Sequence, residues 1–122
     1  MADTLGDLKH AGRESEKISG ILPSPVFLKG AAATKAGILA TLGDYDIIHF
    51  ACHARACPET PLFSGIVVSG DGGGQRALIE ANEILRLKVN ASLVFLCGCS
   101  TGIGDVPDGD EITSLTRAFM IA

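Results

Sequence analysis

The sequence predicts an α/β fold whose mostly parallel sheet is covered by helices on both faces. Three observations carry that expectation. Residues 46–51 (Asp-Ile-Ile-His-Phe-Ala) and 92–97 (Ser-Leu-Val-Phe-Leu-Cys) are near-continuous apolar runs of the kind found in buried parallel strands. Segments of helical periodicity alternate with such runs, which favours right-handed crossovers. Aromatics make up only 5% of the chain and Trp is absent, so Ile, Leu, Val and Ala must fill the core. With 122 residues, 47% of them hydrophobic, and a mean hydropathy of +0.34, the chain suits one domain over residues 1–122 with a sizeable buried core.

The elements follow in order. Leu5, Leu8, Ile18 and Ile21 recur at roughly helical spacing among charged neighbours until Pro23 and Pro25 stop the pattern, which predicts a surface helix. Residues 25–28 (Pro-Val-Phe-Leu) read as a short strand closed by Gly30. Thr34 is placed to cap a second helix with Ile38, Leu39 and Leu42 as its apolar stripe and Gly43 just past its end. The run at 46–51 is the first buried strand, and His53 lies just beyond it. Ile66, Val67 and Val68 form another, which the Gly-rich turn at 70–74 folds back toward 77–79 as a hairpin. Residues 80–87 read as a helix, 92–97 as the second buried strand, and Cys99 follows it. A Gly- and Asp-rich loop at 102–110 leads to a last helix marked by Ile112, Leu115 and Phe119.

Charge and composition exclude several functions. The formal net charge is −4 and no cluster of Lys or Arg is present, so a nucleic-acid partner is not expected. No window approaches the length of a membrane span and no apolar leader is apparent, so a cytoplasmic location and no membrane partner are expected. The four cysteines, Cys52, Cys57, Cys97 and Cys99, fall in two short clusters beside apolar runs rather than across a disulfide framework, and reduced thiols are expected. His49, Cys52, His53 and Cys57 fall within nine residues, and Cys97 with Cys99 would complete a zinc site, yet strand alternation sends His49 and Cys52 to opposite faces and no Cys-x-x-Cys pair exists. No metal and no cofactor are expected. Gly102 and Gly104 lack the third glycine of a dinucleotide fingerprint, and residues 70–75 lack the Lys-Ser/Thr of a phosphate loop.

The constellation that carries chemistry is His53 with Cys99. Cysteine attacks a carbonyl as a thiolate, so a hydrolase needs an imidazole beside it to take the proton and later deliver it to the leaving amine. The carboxyl ends of parallel strands are where an α/β sheet offers a crevice, and both residues follow such strands. Small residues flank both, and the amides of Ala54 and Cys99 are candidate oxyanion donors for a tetrahedral intermediate.

Five segments occur in the order seen in the CHAT family, a caspase-like family often attached to tetratricopeptide repeats. They are 45–54 (Tyr-Asp-Ile-Ile-His-Phe-Ala-Cys-His-Ala), 61–68 (Pro-Leu-Phe-Ser-Gly-Ile-Val-Val), 83–87 (Glu-Ile-Leu-Arg-Leu), 93–102 (Leu-Val-Phe-Leu-Cys-Gly-Cys-Ser-Thr-Gly) and 109–119 (Gly-Asp-Glu-Ile-Thr-Ser-Leu-Thr-Arg-Ala-Phe). The chain resembles that family over almost its whole length, and the stretch around Cys99 also resembles the nucleophile segment of separases. The resemblance implies a caspase-like three-layer sandwich, His53 as the catalytic histidine and Cys99 as the nucleophile. The separation of 46 positions and the His-before-Cys order agree with a caspase pattern. Asp110, by analogy with the separase branch, would line a specificity pocket for a basic side chain. Ala54 stands where the family more often has Gly.

Family members usually have a strand before the first helix and another after the last, so the resemblance also implies a truncated copy lacking edge strands. Two functions are weighed on that basis. One is a cysteine endopeptidase acting on a protein or peptide substrate through a thioester. The other is a catalytically inactive interaction module, completed by repeat domains, by a second protein chain, or by self-association through exposed sheet edges.

Overall fold

A computed structural model describes residues 8–72, 75–97 and 110–122, leaving aside the side chains of Lys9, Asp110, Glu111 and Ile112. Helix α1 spans Lys9–Ser19 and ends where Gly20 donates its backbone N–H to Glu16. Ile21, expected within the helix, therefore falls outside it and is 83% exposed. Residues 25–28 form no strand. They join neither sheet, in a segment where Pro23 and Pro25 have no N–H to donate. Val26, Phe27 and Leu28 instead line an apolar groove of about 390 Å³ with residues of α1 and of the strand described next.

Helix α2 covers Lys35–Thr41, and its start is the capping arrangement expected: the Thr34 hydroxyl accepts from the Gly37 N–H at 3.3 Å. A single 3₁₀ turn, Leu42–Asp44, takes up Gly43 and turns the chain into strand β1, Ile47–Ala51. Strand β2 is only Ala54–Arg55 and was not anticipated, because two residues carry no alternation to read. Strands β3 (Gly65–Ser69) and β4 (Arg76–Glu80) form the expected hairpin. Helix α3 is Ala81–Ile84, much shorter than the pattern over 80–87 implied. It begins with a reciprocal capping box between Glu80 and Glu83, so β4 runs without a break into the helix start. Strand β5 is Leu93–Cys97 and helix α4 is Asp110–Ile121.

The fold is α/β. Strands β1 and β5 are parallel neighbours, with Ile47 opposite Leu93, His49 opposite Phe95 and Ala51 opposite Cys97. Among the described residues the other sheet is antiparallel, in the order β2-β3-β4. Helices pack on both faces of the parallel pair: α1 against β1 on one side, α4 against β5 on the other. Alternation decides which side chains meet which layer. Ile48 and Phe50 enter the core, where Phe50 meets Phe119 of α4 with ring centroids 5.7 Å apart. His49 faces α1.

The main core lies where the hairpin, α2, α3 and α4 converge on Val68, Ile79 and Ile84, all fully buried. β5 is less enclosed than its apolar composition implied. Leu93 and Phe95 remain about half exposed, because α1 packs on β1 and leaves this face of β5 largely uncovered. Among the described residues no helix is long and apolar enough to cross a membrane.

Candidate functional site

The site is built on the carboxyl ends of β1 and β5. Their parallel ladder extends one residue past β1, where the Cys52 N–H donates to the Cys97 carbonyl at 3.2 Å. His53 is two positions beyond Ala51, and Cys99 is two positions beyond Cys97, the register partner of Ala51. Cys99 itself lies outside the described residues, as do residues 98 and 100–109.

His53 is half-buried and is held by its backbone, its carbonyl accepting from the Val67 N–H at 2.8 Å. That bond fixes the local pattern. In an antiparallel ladder hydrogen-bonded and non-bonded pairs alternate, so the next pair, Ala54 with Ile66, is non-bonded. The Ala54 N–H therefore points away from β3. Beneath His53 a small cavity of about 20 Å³ is bounded by Phe50, Cys52, Ala54, Leu96, Cys97 and Leu115. Leu115, on α4, is buried and closes the floor. The crevice is thus bordered by the ends of β1 and β5, with an apolar base that holds the strand ends in place.

The remaining cysteines have different surroundings. Cys52 points into the core, and burial pushes its thiol up to about 12, far from a thiolate at neutral pH. The Cys57 sulfur lies 3.0 Å from the Thr60 hydroxyl, and its backbone N–H donates to the buried Ser64 hydroxyl at 2.9 Å. No disulfide joins Cys52, Cys57 and Cys97. Cys97 faces α1, where its thiol donates to the Glu14 carboxylate at 3.9 Å. The same carboxylate oxygen lies 3.4 Å from His49 Nε2. Burial lowers the His49 pKa despite the opposing pull of Glu14.

His49 and Cys52 thus face different layers, as strand alternation required. Asp110 begins α4, but its side chain lies outside the described residues. Glu14 was missed at the sequence level. It is one of several charged residues on an amphipathic helix, and nothing in its spacing distinguishes it from its solvated neighbours.

A parallel strand pair with helices on both faces, and a histidine just past one strand end, defines an α/β protein. The family model described as the CHAT domain matches residues 2–122, so the chain belongs to the CHAT domain family, a caspase-like, peptidase-related family. No curated protein and no solved structure gives a significant match.

Proposed function

We propose that the chain acts as a caspase-like cysteine endopeptidase domain in the cytoplasm, with His53 and Cys99 as its dyad and a protein or peptide as substrate. The observation that carries this reading is the β1–β5 register. Ala51 opposes Cys97, so His53 and Cys99 follow adjacent parallel strands at the same offset. In the reaction the Cys99 thiol passes its proton to His53 and attacks the peptide carbonyl carbon, forming a C–S bond and a tetrahedral oxyanion. Collapse of that intermediate breaks the C–N bond as protonated His53 gives its proton to the leaving amine. Water, deprotonated by His53, then attacks the thioester, and the thiol is released with the carboxylic acid product.

The Ala54 N–H, directed away from β3, supports its role as an oxyanion donor, with the Cys99 N–H as the second. Asp110 at the start of α4 is assigned to recognition of a basic substrate side chain, where a carboxylate would pair with Lys or Arg. The mechanism uses no cofactor and no metal.

A second reading rests on a different observation. Leu93 and Phe95 expose apolar surface on a sheet that has only two strands among the described residues. An interaction module that binds a repeat domain, another protein chain or a second copy of itself through this sheet would use that surface. Peptide hydrolysis separates the two. The purified chain is incubated with a mixed peptide pool containing Lys and Arg, and new termini are mapped by mass spectrometry. Cleavage that disappears in Cys99→Ala and in His53→Ala supports the peptidase. Cleavage that persists in both variants, or no cleavage by the unaltered chain, favours the module.

A further inference from the structure

We propose that Glu14, His49 and Cys97 form a binding site for a divalent zinc ion, separate from the His53–Cys99 dyad. The three come from α1, β1 and β5, and one ligand atom from each lies within 4.8 Å of the other two. His49 Nε2 is 3.4 Å from Glu14 Oε1, and Cys97 Sγ is 3.9 Å from the same oxygen. Zinc bonds of about 2.0–2.1 Å to nitrogen, 2.0–2.2 Å to oxygen and 2.3 Å to sulfur give a tetrahedron with edges of about 3.3–3.7 Å. The nitrogen–oxygen edge already has that length, and the sulfur–oxygen edge exceeds it by only a few tenths of an ångström.

The sheet explains why the two strand ligands coincide. His49 pairs in register with Phe95, and Cys97 lies two positions further along β5, so His49 and Cys97 project from the same face of adjacent strands. Phe95 stacks on the His49 ring, with centroids 5.7 Å apart and planes 22° apart, which holds the imidazole in orientation. Glu14 reaches down from α1. Its side chain is 48% exposed while that of His49 is 12% exposed, so the site opens to solvent on the carboxylate side. A water molecule would complete the tetrahedron from that side.

Ligand chemistry selects the metal. A thiolate, an imidazole and a carboxylate suit zinc, whereas magnesium and calcium require all-oxygen shells. The site carries a formal charge of −2 with thiolate and carboxylate ionised, which the dication neutralises. Binding displaces the thiol proton of Cys97 to solvent and leaves the metal oxidation state unchanged. The bound ion would tie α1 to both parallel strands.

Cobalt(II) is the spectroscopic probe. Titrated into the reduced full chain, it should saturate at one equivalent with the intense visible bands of a tetrahedral site and a thiolate charge-transfer band. Zinc should displace it. Glu14→Gln, His49→Gln and Cys97→Ser should each weaken binding at least about tenfold, and Cys97→Ser should also remove the charge-transfer band. Glu14→Gln alters a half-exposed helix position, so a correctly folded variant tests the site even if a strand variant does not fold. Cys99→Ala and His53→Ala should bind cobalt as the unaltered chain does. Absence of one-equivalent binding, unchanged affinity in Glu14→Gln, or loss of the bands in Cys99→Ala with retention in Cys97→Ser would each overturn the site.

Discussion

Phe50→Ala tests how the site is supported. Phe50 is only 3% exposed, sits on β1 three residues before His53, and meets Phe119 of α4 at 5.7 Å. Truncation removes the ring and leaves a cavity between strand and helix, for a loss of about 3–5 kcal/mol. That is a large part of the roughly 5–15 kcal/mol by which domains are stable. For a chain of this size the loss corresponds to a fall in Tm of roughly 10–20 °C. The pair itself is measured by a double-mutant cycle with Phe119→Ala, read from urea denaturation midpoints. A coupling of about 0.5–1.5 kcal/mol is expected, since a tilted aromatic pair contributes beyond the area it buries. A single-variant loss below about 1 kcal/mol, or additive effects of the two substitutions, would refute the packing of α4 on β1.

Three further outcomes follow from local geometry. Gly65→Ala should destabilise the hairpin by about 1–3 kcal/mol, because a Cβ there would meet the Ile79 carbonyl oxygen at 2.8 Å, with backbone on both sides; thermal melts of the variant check this. For Glu83, burial pushes the carboxyl pKa up, but the bond from the Glu80 N–H and the Lys35 ion pair at 2.8 Å outweigh it and hold the group below its ordinary value. The unfolded chain therefore binds the proton first as pH falls, so the Glu83 contribution is complete above its ordinary pKa of 4.5 and is lost as pH drops through the lower folded value. Glu83→Gln should flatten the acid limb of stability against pH, and an unchanged limb would contradict the assignment. Cys52 in the folded chain should react with iodoacetamide at pH 8 more than about tenfold more slowly than Cys57, as peptide mapping would show, because its thiol is buried and pushed up to about 12.

Much of the fold was legible in the sequence where one local signal sufficed. The apolar runs of β1 and β5, the Thr34 cap and the Ile66–Ile79 hairpin each rest on residues close in the chain, and the structure has all of them. Signals failed where a neighbouring element decides the outcome. The apolar residues at 25–28 have strand composition but join no sheet, and Glu80 ends a strand while capping the helix that composition alone extended to residue 87. That both runs are strands of a parallel sheet was expected from the pattern, but their being direct neighbours is seen only in the structure. Their register, which sets Ala51 against Cys97, was not legible either, because a continuous apolar run carries no alternation to fix it. His49 and Cys97 were weighed as metal ligands and set aside, and their grouping with Glu14 was missed for a related reason. Glu14 and Cys97 are 83 residues apart, and only the packing of α1 on the sheet brings them together.

The dyad itself is tested most directly by an irreversible electrophilic peptide probe, with the adduct mapped to individual cysteines by mass spectrometry. Labelling should concentrate on Cys99 over Cys52, Cys57 and Cys97, and should fall by about 10²–10⁴-fold in His53→Ala if the imidazole is the base. Labelling no greater at Cys99 than at the other three cysteines, or unaffected by removal of His53, would contradict a caspase-like dyad at the ends of β1 and β5.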